Sequence, residues 1–174
     1  MEQGQGNTPL ILTARMPSEL HRRFTDLRTE HFPPERNYLE AHVTLFHAIP
    51  GQCEAEACGY LARLASEVAP LPGAVEGLMS LGGGTAIKLS SVSLLNLRDE
   101  IADHFHGLLT AQDQHRPRLH VTIQNKVTSK EAKALQARLA GTIMHQQFNF
   151  PGLHLYRYKG GPWDLVRQFV FRGR

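Results

Sequence analysis

At 174 residues, 41% apolar and 20% charged, the chain has the composition of one soluble globular domain, long enough for two small lobes around a shared core. Its net charge of +3 and pI near 9.1 suit a phosphate-bearing partner without requiring one. No apolar run reaches the roughly 18 residues needed to cross a bilayer, and the start, MEQGQGNTP, lacks the basic and apolar segments of a signal peptide. Residues 1–9 read as a flexible lead-in, and the expected location is cytoplasmic. Cys53 and Cys58 are the only cysteines and are expected to be reduced thiols, too few for a disulfide framework or a zinc site.

Leu10 to Met16 is a strand candidate, and Pro17 opens a helix whose Leu20, Phe24, Leu27 and His31 share one face before Pro33-Pro34. A strand follows from about Leu39 to His47, closed by Pro50-Gly51, then a helix near Glu54 to Val68 and a strand from Ala74 to Leu81. Gly82-Gly83-Gly84-Thr85 lacks the GxxxxGK[ST] spacing of a phosphate loop and precedes a strand, so it reads as a hairpin turn or lobe linker.

The scheme then restarts. Thr85 to Ser90 is a strand, and Ser93 can cap a helix with Leu94, Leu97, Ile101 and Phe105 on one face. A strand runs from about Arg118 to Lys126, and Thr128 with Glu131 offers a capping box for a helix carrying Leu135, Leu139 and Ile143. Phe148 to Tyr158 and Trp163 to Phe171 close the chain as strands, joined at Lys159-Gly160-Gly161-Pro162. Each half therefore reads strand, helix, strand, helix, strand. The predicted class is α+β, with two mainly antiparallel sheets in one domain over 10–174. Its lobes fall roughly at 10–82 and 84–174, with strands free to exchange between them.

Both halves place the same four-residue pattern on their second strand: His42-Val43-Thr44-Leu45 and His120-Val121-Thr122-Ile123. Alternation along a strand sends His42 and Thr44, and likewise His120 and Thr122, to one face and the aliphatic residues to the other. On the same rule His47 points away from His42 and takes no part in the chemistry. Two imidazoles meeting across a cleft can act together, the neutral one accepting a proton and the protonated one donating it. Two threonine hydroxyls beside them suit the oxygens of a phosphoryl group, and no metal is needed.

These paired His-x-Thr-hydrophobic motifs resemble the signature of the 2H phosphoesterases, whose best-known branch is the 2′-5′ RNA ligase-like proteins. The resemblance covers nearly the whole chain in element order and little beyond the motifs in residue identity. It implies a bilobal, pseudo-twofold fold with the active site in a central groove, and phosphodiester chemistry without metal or other cofactor. The implied substrates are RNA ends or nucleotides bearing a 2′,3′-cyclic phosphate. His120 would activate water, His42 would protonate the leaving ribose oxygen, and Thr44 and Thr122 would hold the phosphate; opposite substrate polarity reverses the two histidines. Two departures stand out. Phe46-His47-Ala48-Ile49-Pro50-Gly51 replaces the Phe-Leu-Gly run of many relatives, and Leu119 stands where they often carry proline. The RNA-end specificity of the ligase branch does not follow from these residues.

Secondary candidates have ordinary readings beside functional ones. Arg118 could contact phosphate or sit at a strand entry, and Phe46 could stack on a base or pack. Tyr156, Tyr158, Lys159 and Trp163 form an aromatic and basic cluster around the last turn, suited to a nucleotide or merely to a hairpin. His104 and His106 point apart on a helix and read as surface residues. The leading expectation is a cyclic phosphodiesterase. 2′-5′ RNA ligation and a non-catalytic RNA- or nucleotide-binding module are the alternatives, a metal-dependent hydrolase ranks low, and a monomer is the default.

Overall fold

The structure is a computed structural model and describes residues 8–174; the lead-in expected at residues 1–9 lies, for residues 1–7, outside the described residues. In chain order the elements are β1 (Leu10–Arg15), α1 (Ser18–His31), β2 (Val43–Ile49), α2 (Glu54–Glu67), β3 (Leu71–Ser80) and β4 (Thr85–Ser90). They continue with α3 (Val92–His104), β5 (His120–Gln124), α4 (Ser129–Leu139), β6 (Gln146–Phe150), β7 (Gly152–Tyr158) and β8 (Trp163–Val170).

The strands form two four-stranded antiparallel sheets, ordered β2-β1-β7-β8 and β5-β4-β3-β6. Sheet membership departs from chain order. β3, from the first half, pairs with β4, while β7 returns from the C-terminus to pair with β1 and β8 lies beyond it at the sheet edge. The segment Phe148 to Tyr158, expected as one strand, is two strands in different sheets. Pro151 has no N–H for a ladder, and the chain changes sheet there.

Local signals account for the helices. Leu20 and Phe24 of α1 are buried, Leu27 packs against the core and the His31 side chain is 8% exposed, and Arg28 joins this face as a buried charge. Burying a leucine or phenylalanine contributes about 1.5–3 kcal/mol, so each apolar helix face supplies several such increments. The cap of α3 is Ser91 rather than Ser93: its hydroxyl accepts from the Leu94 amide at 3.0 Å. The Thr128/Glu131 capping box of α4 forms in both directions, at 3.1 and 3.2 Å. At the glycine run, the Leu81 amide donates to the Gly84 carbonyl and Gly82 takes φ +80, so the run is a hairpin turn.

One continuous hydrophobic cluster draws on both sheets and on α1, α2 and α3. Two helices reach across to the opposite motif strand. Arg28 of α1 donates to the Thr122 carbonyl in β5 at 3.0 Å, and Arg98 of α3 donates to the Leu45 carbonyl in β2 at 3.3 Å. Both arginines are buried, each over a phenylalanine ring: Arg28 over Phe32 at 4.1 Å, Arg98 over Phe46 at 4.2 Å. Charged donors thus brace each motif strand from the other half of the chain.

Candidate active site in the groove between the sheets

β2 and β5, one from each sheet, approach one another beside a cavity of about 540 Å³. Both sequence motifs open into it: His42 and Thr44 from one side, His120 and Thr122 from the other. The aliphatic partners Val43, Leu45, Val121 and Ile123 are buried, as alternation requires.

Alternation fails one residue later, in both strands. In β2, Thr44 and Phe46 oppose consecutive residues Thr13 and Leu12 of β1; in β5, Thr122 and Gln124 oppose consecutive residues Ala86 and Thr85 of β4. Each motif strand therefore carries an extra residue, a β-bulge, directly after its threonine. The bulge turns Phe46 and Gln124 inward and re-aims the next residue, so His47 and Asn125 both line the cavity. This corrects the expectation that His47 faces away from His42. It also corrects Phe46, a candidate for base stacking, which is 0% exposed. Gln124 is satisfied by the Thr85 hydroxyl at 2.9 Å.

The histidines are held alike. His42 Nδ1 lies 2.8 Å from the Glu40 carbonyl, and His120 Nδ1 lies 2.6 Å from the Arg118 carbonyl. A carbonyl only accepts, so each Nδ1 carries a proton and donates it to the carbonyl two residues earlier. In the neutral ring this leaves Nε2 with its lone pair, so the two rings are held in the same tautomer. Trp163, at the start of β8, packs on His42 with ring centroids 4.6 Å apart, and Tyr156 lies 5.4 Å behind it.

Burial pushes His42 down from 6.5 to about 4; the Glu40 carbonyl opposes this, and the charges of Arg28, His120 and His47 add to it. In the unfolded chain the same imidazole titrates near 6.5. Between those values the unfolded state binds a proton that the folded state does not, so stability falls as pH drops from 6.5 toward 4. Lowering the pH from 7 to 5 is expected to cost about 1–2 kcal/mol through this residue. Urea unfolding of wild type and His42→Asn at both pH values checks it, because the variant should lose most of that difference.

Of the other expected site residues, Arg118 and Trp163 line the cavity. Tyr156 lines a neighbouring cavity of about 240 Å³ together with His42, His154 and Glu40. Tyr158 and Lys159 do not line the groove: Tyr158 is 43% exposed at the hairpin tip, and Lys159 pairs with Asp164 at 3.5 Å. Sequence reasoning missed His47, Asn125, Arg28, Arg98 and Asp113. Comparing the motifs two positions further (HVTLFH against HVTIQN) shows a polar residue at the sixth position of each, which was the available signal for the first two.

The sequence model of the 2′-5′ RNA ligase superfamily matches residues 16–162. This chain belongs to that superfamily. No curated protein sequence matches this member significantly. Among solved structures, TT0787 of Thermus thermophilus superposes with a TM-score of 0.64 at 17% identity, covering 95% of this chain and 99% of that one. LigT of E. coli, crystallised with NADP+, gives 0.58 at 16% identity, with 95% and 98% covered. A protein described only as a phosphoesterase gives 0.60 at 16%, with 94% and 98% covered. At such identities the likeness speaks to fold: this superfamily member has the two-sheet α+β architecture of the LigT-like 2H phosphoesterases.

Proposed function

We propose that the protein is a phosphodiesterase that opens 2′,3′-cyclic phosphates of nucleotides or RNA ends by acid–base catalysis between His42 and His120. The matched Nδ1–carbonyl bonds carry this reading, because they present two equivalent Nε2 atoms to one groove. Burial of His42 favours its neutral form in the free enzyme, which suits a base. His42 Nε2 then removes a proton from water as the water oxygen bonds to phosphorus. The phosphorus–oxygen bond to one ribose oxygen breaks, and His120 Nε2–H protonates that oxygen. This order is the reverse of the one the family resemblance implies. Thr44 and Thr122 hydroxyls donate to the non-bridging oxygens.

One chain carries every residue of this scheme, so a monomer suffices. LigT has been crystallised with 3′-AMP and ATP as well as NADP+, which supports a nucleotide as the class of partner. The superfamily's description favours 2′-5′ ligation as a second reading, since a 5′-hydroxyl in place of water would open the cyclic phosphate, releasing the 3′-oxygen, with the same two nitrogens.

Incubation with the four nucleoside 2′,3′-cyclic monophosphates in EDTA tests the proposal. Conversion of at least one to a single monophosphate isomer is expected. No turnover of the four, or of a short RNA ending in a cyclic phosphate, would overturn it.

A further inference from the structure

Asp113 is a charged side chain with 1% exposure beside the groove, on the loop between α3 and β5. Its carboxylate accepts the His47 amide at 2.9 and 3.0 Å, the Ala48 amide at 2.8 Å and His47 Nδ1 at 3.2 Å. The same carboxylate therefore fixes the bulged backbone of β2 and the ring it re-aims. With Nδ1–H given to Asp113, the doubly protonated His47 ring presents Nε2–H to an anion in the groove while that carboxylate balances its charge, and the side chain is 46% exposed there.

The cations around His47 are unevenly matched. Arg116 is held by Asp99 in two bonds at 2.9 and 2.6 Å, and buried Arg98 is turned to backbone carbonyls of Leu45 and Asp113. His115 and Arg118 also line the groove, and Asp113, bonded behind His47, is the one carboxylate among the described groove-lining residues. The cyclic phosphate already has His42, His120 and two threonines. A neutral base edge would gain less from further cations than a second phosphate, which would be bound through charge-assisted bonds.

We propose that His47, locked by Asp113, forms a subsite for a second phosphate with Arg118, so that the preferred substrate carries another phosphate next to the reacting one. The inference rests on the reading of the groove as a nucleotide site and names its substrate more closely. The second phosphate has two sources: a 5′-phosphate on a free nucleotide, or the internucleotide phosphate of an RNA end.

Calorimetric titration with product analogues tests the subsite without depending on turnover. Adenosine 3′-monophosphate serves as reference, adenosine 3′,5′-bisphosphate reports the free-nucleotide source, and the dinucleotide ApAp reports the RNA-end source. Wild type should bind at least one doubly phosphorylated ligand about tenfold more tightly than the reference, as befits one charge-assisted bond. His47→Ala should bring the two affinities together. His47→Asn separates binding from architecture, because its amide nitrogen can replace Nδ1 toward Asp113 but nothing replaces Nε2. It should fold like wild type and still lose the preference. Equal affinities in wild type, a preference surviving in His47→Asn, or no binding of any of the three would overturn the subsite. Failure there, with cyclic mononucleotides still turned over, would leave the phosphodiesterase reading intact.

Discussion

Replacing either His42 or His120 by alanine is expected to lower kcat on a 2′,3′-cyclic phosphate by roughly 10²–10⁴-fold, the usual contribution of a positioned acid or base. KM should change far less, because in the proposed mechanism the imidazoles act on protons in flight while Thr44 and Thr122 hold the phosphate. The double variant should lose less than the product of the single losses, since each histidine is useful only while its partner works. Both rings face the groove and their Nδ1 atoms bond to nearby backbone, so neither variant is expected to unfold the protein. Steady-state kinetics with circular dichroism as a folding control checks this. Loss of less than fivefold in either single variant would remove that histidine from the mechanism.

The second large effect is on stability. Asp113→Ala is expected to destabilise the protein by about 3 kcal/mol or more, because it strands two backbone amides of β2 and withdraws an ionised acceptor from a buried place. Burial alone would raise the Asp113 carboxyl, but the His47 ring and the amides of His47 and Ala48 together hold it below its usual value. Its contribution is therefore present above the ordinary carboxylate range and disappears as pH falls through the depressed value. Asp113→Asn keeps one acceptor oxygen and should cost less than Asp113→Ala. Urea unfolding at pH 7 measures both; a loss under about 0.5 kcal/mol for Asp113→Ala, the range of ordinary surface substitutions, would mean that the carboxylate does not organise the bulge.

Those two predictions draw on different kinds of information. His42 and His120 were legible in the sequence because a four-residue pattern recurs at equivalent places, and the capping box at Thr128 was legible because capping is local. His47 was misread because period-two alternation holds only while the ladder stays in register. The extra residue after Thr44 shows itself only in the pairing with β1. Asp113 lies in a loop with no periodicity, and its importance comes from what stands beside it, 66 residues away in sequence from His47. The division of Phe148 to Tyr158 between sheets likewise follows from strand pairing, although Pro151 marked the position. Arg28 was obscured for a simpler reason: a helical face was read from apolar residues, and the buried third position is charged.

The proposed mechanism gives distinct roles to two histidines that the sequence writes identically, and a leaving-group comparison tests that assignment most directly. The substrate is a 2′-deoxynucleoside 3′-(4-nitrophenyl phosphate), whose phenolate leaves without being protonated. If His42 is the base and His120 the acid, His120→Ala should cleave this substrate at close to the wild-type rate, while His42→Ala should stay slow. The opposite pattern would exchange the two roles, and equal slowing of both variants would contradict acid–base division between the paired histidines altogether.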